Sequence, residues 1–284
     1  MESDCDVAML DLRHLSAADA RLAAGDDPQV RINRGGCHRA EERWQGQTFA
    51  HADIGLYLVD EPGMWAETAS RRWAYVAGAI TVIPPWWTYT YRFRPGMGHA
   101  YLHLDVPAWP AALLRRHLTH PLVLRDRAVV QVFRAWCVRL RAGASAGEQR
   151  LGAQHLALSA LSALTTAVPQ LAAEVLHRDG AWRHLRPALD LVEAHLAEPL
   201  AVGDLAAALG CSREHCARLF RKHLGQTPVH YIQERRVARA MELLRGGATV
   251  THAAGAVGAG TRQYLGRLVR RHLGRPPSQL VQAS

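Results

Sequence analysis

The sequence predicts an α+β protein of more than one domain: a β domain at the N-terminus, a helical segment after it, and an all-α C-terminal third. Three observations carry that prediction. The 284 residues suit two domains of ordinary size, each roughly 100–200 residues long. Short β-type runs broken by Gly and Pro fill the stretch from Ile54 to Val106, whereas apolar residues recur at three- and four-residue steps from Val129 onward. After Arg183 a short capped helix, a glycine turn and a basic helix follow one another twice.

Composition narrows the class. With 49% hydrophobic and 21% charged residues the chain reads as soluble and globular. It has no apolar run of about 18 residues, which excludes a membrane-spanning role. The start, Met1-Glu2-Ser3-Asp4-Cys5-Asp6, is acidic where a secretory signal is basic, and a cytoplasmic location is expected. Five cysteines (Cys5, Cys37, Cys137, Cys211, Cys216) form no C-x-x-C pair, so neither a disulfide framework nor a zinc ribbon is indicated and reduced thiols are expected. The net charge of +9 is unevenly spread: from Arg183 to the end, fifteen basic residues face seven acidic ones, leaving the first 182 residues near neutral. A basic third joined to a neutral remainder suggests a polyanion-binding module attached to something else.

The β-type runs are Ile54 to Val59, Trp73 to Val76, Ile80 to Ile83, Thr88 to Phe93 and Tyr101 to Val106. Pro62-Gly63, Gly78, Pro84-Pro85 and Pro95-Gly96 punctuate them at the spacing of a small barrel or sandwich. After Trp109-Pro110 the period becomes helical, with Val129, Val132, Phe133, Trp136 and Leu140 on one stripe. A loop at 143–147 precedes a helix from Glu148 to Val168 that carries two apolar rows: Leu151, Leu158, Leu161 and Val168, and Leu156, Ala160, Leu164 and Ala167. Two apolar faces need two partners. One is the β domain; the other is a second copy of the chain, making this the dimerisation segment, or else further parts of its own domain. Arg178-Asp179-Gly180 closes the segment, dividing the chain into 1–110, 111–180 and 181–284.

In the last part, Leu185, Leu189, Val192 and Leu196 share one face of a support helix that stops at Pro199. The run from Val202 to Leu209 is a short helix ending at Gly210, which suits a left-handed turn, and Ser212 can cap the helix that follows. That is helix-turn-helix chemistry. Cys216, Leu219 and Phe220 would face inward, and Arg213, Glu214, Ala217, Arg218 and Arg221 outward. Thr249 to Gly258 and Thr261 to Leu273 repeat the unit 49 residues later, with Arg267 in the place of Arg218 and a long helix, Val229 to Leu244, between the two. The result is a pair of reading heads.

From Leu185 to Leu280 the chain resembles the arabinose-regulator (AraC/XylS) family of transcription factors, matching its signature at Arg236, Ala240, Leu243, Leu244, Val250, Ala254, Gly258, Tyr264, Arg267, Gly274 and Pro277. The resemblance implies a bacterial regulator that sets its two recognition helices in successive major grooves of double-stranded DNA, about 34 Å apart. Carried over by position, the base-reading residues are Glu214, Ala217 and Arg218 in the first head and Arg262, Gln263, Gly266 and Arg267 in the second. Arg218 and Arg267 suit guanine, Gln263 adenine and Glu214 cytosine. Arg213, Arg221, Lys222, Arg270 and Arg271 suit phosphates, which position without specifying. Three departures stand out. Ala201 replaces the usual Ser or Thr cap, worth about 1 kcal/mol. Ala259 and Val269 stand where the family has Phe. These two, with Gly255 inside a short helix, would thin the core of the second head, so that the first head discriminates sequence and the second supplies phosphate affinity.

The resemblance also implies a cupin-like β-barrel that binds a small effector, helices that dimerise, a contact with RNA polymerase as an activator, and no enzyme activity. Eight aromatics lie between Trp73 and Tyr101, and Trp87, Tyr89, Tyr91 and Phe93 alternate on one strand face. With His99, Tyr101 and His103 they form the expected pocket for a polar, sugar-like ligand. His51, Asp53, His99 and His103 are the possible metal ligands, but Trp86-Trp87-Thr88-Tyr89 occupies the place of a further histidine, and neither metal nor other cofactor is expected. The rival readings are a cupin-type metalloenzyme, an isomerase or oxygenase with a basic DNA-binding appendage, and a transcription factor with no ligand at all.

Overall fold

The computed structural model describes residues 30 to 278 apart from 41, 43–44, 107–108, 110, 177–178, 246 and 275. The acidic start with Cys5, and Pro110, Arg178, Arg275 and Leu280 of the motifs above, lie outside the described residues. The first part contains β1 (Arg31–Arg39), β2 (Thr48–Phe49), β3 (Ile54–Leu58), β4 (Met64–Glu67), β5 (Arg72–Ala74), β6 (Ile80–Ile83), β7 (Tyr89–Phe93) and β8 (Gly98–Asp105). Then come α1 (Ala111–His117), β9 (Leu122–Leu124), α2 (Arg127–Arg141), α3 (Ala146–Ala167) and α4 (Pro169–Leu176). The last part is helical: α5 (Asp179–Ala194), α6 (Val202–Ala208), α7 (Arg213–Leu224), α8 (Pro228–Arg245), α9 (Val250–Ala256) and α10 (Arg262–Leu273).

The strands form two antiparallel sheets, β1-β8-β3-β6-β9 and β2-β7-β4-β5, with no ladder joining them among the described residues. The closed barrel expected from the sequence is therefore an open two-sheet sandwich. Tyr57 and Ile83 from the larger sheet meet Met64, Tyr91 and Phe93 from the smaller one in a shared interior. Alternation along β3 turns Ile54, Leu56 and Leu58 to the opposite face, where the helices cover them. This is why all five residues of β3 are buried. Strands β1 and β4 escape the sequence reading because β1 is a polar edge strand, Arg-Ile-Asn-Arg-Gly-Gly-Cys-His-Arg, and β4 is only four residues long.

The hairpin of α2 and α3 lies on the outer face of the larger sheet, with Phe133, Trp136, Leu156 and Leu164 buried in one core with Leu102 and Leu104. Trp136 fits against two glycines: a Cβ at Gly35 on β1, or at Gly152 on α3, would stand 2.7 Å from its ring. A capping box of Ser145 and Glu148 starts α3. The predicted dimer row on α3 does not survive as drawn. Leu161 is buried in the protein's own core and Val168 is half-buried, while Leu151 and Leu158 remain 67% and 49% exposed. The buried face centred on Leu156, Ala160 and Leu164 is wide enough to take in Leu161.

The helical part holds two small cores. Leu185, Leu189 and Val192 of α5 pack with Leu205, Cys216 and Phe220 in the first. The second comprises Ala253, Val257, Leu265, Leu268 and Val269. The long helix α8 serves both, giving Tyr231 and Ile232 to one and Val237, Ala240, Met241 and Leu244 to the other.

His99 on β8 is buried against His38 of β1, ring centroids 4.8 Å apart. Burial, and then the neighbouring His38, lower its pKa to about 3. A histidine in the unfolded chain titrates near 6.5, so the folded state binds fewer protons. The stabilisation is complete above pH 6.5 and is lost as the pH falls toward 3. His99→Gln should remove this acid sensitivity, on the order of 2 kcal/mol at pH 5 in urea unfolding. An unchanged slope of stability against pH would show that His99 is not the neutral group.

Candidate nucleic-acid interface and buried polar cluster

Each reading head is shaped by its own turn and caps. Gly210 takes φ +61° between α6 and α7, a conformation that costs glycine nothing. The Ser212 hydroxyl then accepts from the His215 amide at 3.2 Å and starts α7 at Arg213. In the second unit Thr249 caps α9 through the His252 amide, and Thr261 caps α10 through that of Tyr264, both at 3.2 Å. Helix α6 lacks a side-chain cap at Ala201, but the Asp204 carboxylate reaches back to accept from the Ala201 amide at 2.7 Å. Half of a capping box thus replaces the missing hydroxyl.

Helix α7 buries Cys216, Phe220 and Leu224, and α10 buries Leu265, Leu268, Val269 and Leu273. The opposite faces point to solvent. Arg213, Glu214, Arg218, Arg221 and Lys222 are exposed on α7, with Ala217 half-buried among them. Arg262, Gln263, Arg267, Arg270 and Arg271 are exposed on α10, with Gly266 half-buried. Arg218 Nη2 donates to His215 Nδ1 at 2.8 Å, and the Arg267 guanidinium lies 5.9 Å from the centre of the Tyr264 ring. Glu214, at the start of α7, is held below the usual carboxylate range by its own backbone amide and the Ser212 hydroxyl, so it remains an acceptor. Arg213 leans back toward α6, where a Cβ at Gly203 would meet its guanidinium at 3.0 Å.

The thin core expected in the second head is not found. Ala259 and Val269 are buried, and the cluster around them runs on into Ala50 and Trp86 of the β domain. Apolar volume from outside the unit completes its core, and α10 is anchored by four buried residues where α7 has three. The physical basis for a loosely held second head disappears.

The β domain contains a polar cluster at one end of the sandwich. His51, Asp53 and His103 are all buried and offer one ligand atom each within 4.8 Å of one another. Asp53 accepts from Asn33 Nδ2 at 3.0 Å and from His103 Nδ1 at 2.7 Å. That fixes the His103 proton on Nδ1, leaving Nε2 to accept from the Tyr57 hydroxyl at 2.9 Å. Burial alone would raise the pKa of Asp53, but His103, with Arg34 and Asn33, holds it well below the carboxylate range. Tyr57 and Tyr89, their hydroxyls 3.4 Å apart, are kept protonated by burial. Arg34 Nη2 donates to His51 Nδ1 at 2.7 Å and stands 3.2 Å from His103 Nδ1. A permanent cation thus stands against the Nδ1 atoms of both histidines of the trio.

The residues of the pocket foreseen from the sequence follow one another in ring contact: Tyr89, Tyr91 and Phe93 share a core on which Trp87 and Tyr101 pack, Tyr91 meets His99, and Tyr101 meets His103. His103 and Tyr89 join the polar cluster, and Trp87 stacks on Tyr89 at its margin, ring centroids 5.2 Å apart. Tyr91 and Phe93 fill the core between the sheets, Tyr91 donating to Met64 Sδ at 3.0 Å. His99 and Tyr101 stack on one another beside His38, and the Tyr101 ring also meets that of His103 edge-on, centroids 5.7 Å apart. Asn33, Arg34 and Tyr57 were missed. The first two lie in a strand too polar to be recognised, and Tyr57 is masked by the apolar run around it.

A family model described as a helix-turn-helix domain matches residues 205–283. No curated protein matches the chain. Among solved structures, a transcriptional regulator with an AraC-type DNA-binding domain from Chromobacterium violaceum is 31% identical, covering 37% of this chain and 96% of that one, with a TM-score of 0.35. The DNA-binding domain of AdpA, a global transcriptional factor solved in complex with a target DNA, is 32% identical over 33% of this chain and 86% of its own, with a TM-score of 0.32. ToxT from Vibrio cholerae O395, solved bound to (E)-4-(8-methylnaphthalen-1-yl)but-3-enoic acid, covers 88% of this chain and 99% of its own at 10% identity and a TM-score of 0.53, and so shares its overall fold. The sequence identity across nearly the whole of the first of these domains, on a chain with two capped heads joined by one helix, shows that this protein belongs to the AraC family of DNA-binding transcriptional regulators.

Proposed function

We propose that this DNA-binding regulator acts in the cytoplasm as a homodimer and activator contacting RNA polymerase, and that a small polar effector bound in the β domain controls it. The division into a sensor at 1–110, a dimerising segment at 111–180 and a DNA-binding part at 181–284 follows the same reading. The observation that carries it is the pair of outward basic faces on α7 and α10, each backed by its own apolar core. Arg218 and Arg267 hold equivalent positions on helices that are each anchored by at least three buried residues, so both heads read bases, and the five flanking cations hold phosphates.

For the effector, the support is a cluster with mixed donors and acceptors, in which the half-buried Arg34 meets the buried His51, Asp53, Tyr57, Tyr89 and His103. Such a set suits a polyhydroxy, sugar-like ligand, with Trp87 stacked at the margin. ToxT, of similar fold, takes a small organic acid. Arg34 argues for an organic ligand and against a metal ion, as well as against the metalloenzyme reading. For the dimer, the support is exposed apolar surface on the α2–α3 hairpin at Val138, Leu151 and Leu158.

Three outcomes are expected. In competition binding against single-base variants of a selected DNA site, Arg218→Ala and Arg267→Ala should each relax the preference at one base pair, by about 1–3 kcal/mol, at positions about one helical turn apart. If either lowers affinity uniformly across all sequences, that arginine holds phosphate. A thermal-shift screen with sugars, polyols and hydroxy acids should stabilise the wild-type chain and not Arg34→Ala; no shift with any of them favours the ligand-free reading. Leu151→Glu with Leu158→Glu should sediment as a monomer, and a folded variant that is still dimeric would place the interface elsewhere.

A further inference from the structure

Helix α1 closes on the same pattern as the helices of the two reading heads. Leu113-Leu114-Arg115-Arg116-His117-Leu118 ends α1, Leu219-Phe220-Arg221-Lys222-His223-Leu224 ends α7, and Leu268-Val269-Arg270-Arg271-His272-Leu273 ends α10. Burial repeats with the residue types. In each run the second and last residues are buried, the two cations are exposed and the histidine is half-buried. The helical period explains this, since residues four apart share a face and hold the end of the helix in its core while the cations point out. A cation near a helix C-terminus is favoured by about 0.3–1 kcal/mol, because the unpaired carbonyls there carry negative charge. That accounts for each end alone.

It does not account for their meeting. The Arg116 guanidinium lies over Gly225, the cap of α7, where a Cβ would stand 3.4 Å from Nη2. Arg115 acts on the end of α10: burial first, and then His230, Arg271 and Arg115, lower the pKa of His272 to about 4. Ala111, the first residue of α1, packs on the apolar cluster that holds Leu268 and Leu273. One short helix thus stands against the ends of both heads. Like charges gathered in this way repel, and little acid is at hand to offset them. Glu174 accepts from Arg116 at 3.0 Å, whereas among the described residues no carboxylate pairs with Arg115, Arg221, Lys222, Arg270 or Arg271. A continuous surface of exposed cations without acids suits a polyanion.

Two heads in successive major grooves on one face of a duplex leave the minor groove turned toward the protein midway between them, bordered by both phosphate strands. A helix set against the ends of both heads is placed for that stretch. We propose that Arg115 and Arg116 make α1 a third DNA-contacting element, supplied from outside the helix-turn-helix pair, which holds the phosphates between the two major grooves. The contact adds affinity and fixes the register of the protein on the duplex, and it reads no base. It uses the arrangement of the two halves described above, with Ala50 and Trp86 still completing the core of the second head on DNA. The proposal rests on the reading of Arg221, Lys222, Arg270 and Arg271 as phosphate-holding residues, which it extends.

The test uses the full chain and a duplex selected by the wild type, with affinity followed from about 50 to 200 mM salt. Arg115→Ala with Arg116→Ala should bind about thirtyfold more weakly at about 0.1 M salt, and the slope of log affinity against log salt should fall by about one for each cation. Hydroxyl-radical cleavage should show the wild type protecting the backbone at both head sites and midway between them, and the variant should lose only the midway protection. Arg115→Lys with Arg116→Lys keeps both charges and should keep both the slope and the protection. An unchanged slope in the alanine variant, or weaker binding with the midway protection intact, overturns the proposal. A lysine variant as weak as the alanine one does so too, since packing and not charge was then lost. Arg221→Ala with Arg271→Ala reads the heads themselves. If that pair lowers the slope and the α1 pair does not, α1 is no DNA contact and the heads stand; if neither does, the phosphate reading of these helix ends fails as well.

Discussion

Arg235 stands where the two halves of the molecule meet, and their arrangement depends on its charge being matched. Its guanidinium, 19% exposed, donates to Asp105 of β8 at 2.8 Å and to Glu193 of α5 at 2.6 Å. Glu193 also accepts from Arg31 of β1 at 2.7 Å. Burial alone would disfavour the charged guanidinium, but Asp105 and Glu193 outweigh it and hold Arg235 firmly protonated. Burial likewise opposes the Glu193 carboxylate, and the two arginines outweigh it, keeping it ionised. Two cations and two anions from four elements therefore close on one another. Such a network adds modest net stability, but losing one member strands a buried charge at a cost of about 3–5 kcal/mol. It selects which surfaces meet more than it strengthens their meeting.

Around that point the DNA-binding half behaves as one body. The Arg236 guanidinium donates to the carbonyls of Leu196 at 3.1 Å and Glu198 at 2.6 Å, satisfying groups just beyond the end of α5. Gly258 presses on the same segment from the second unit. It takes φ +65°, and a Cβ there would stand 2.7 Å from the Ala197 carbonyl oxygen and 2.8 Å from that of Leu196. The turn of the second head therefore needs glycine twice over, for its conformation and for its approach to the first head. With α8 in both cores, the relative setting of α7 and α10 is built in before any DNA is present.

The polar cluster shows how a small β domain keeps charged groups inside. Asp53 is tolerated because His103, Asn33 and Arg34 surround it, and His103 because Asp53 and Tyr57 use both of its ring nitrogens. Each group satisfies another, so the site is preorganised and polar while the core beside it, of Met64, Tyr91 and Phe93, is not.

Most of the DNA-binding half was legible in the sequence. Capping residues, glycine turns and inward spacing act over a few residues, and Ser212, Gly210, Thr249 and Thr261 do what their local chemistry requires. The outward cations follow from the same helical period. In the β domain the runs at β3, β6, β7 and β8 were also readable, since alternation and turn residues are local signals. What the sequence could not determine is which distant residues meet. The open pairing of two sheets, the burial of Leu161, the assembly of Arg34, His51, Asp53, Tyr57 and His103, and the insertion of Trp86 beside Ala259 and Val269 all join residues from different elements. Local propensity carries no record of such contacts. They were decided by tertiary packing, where burial must be shared among elements and each buried charge must find its opposite.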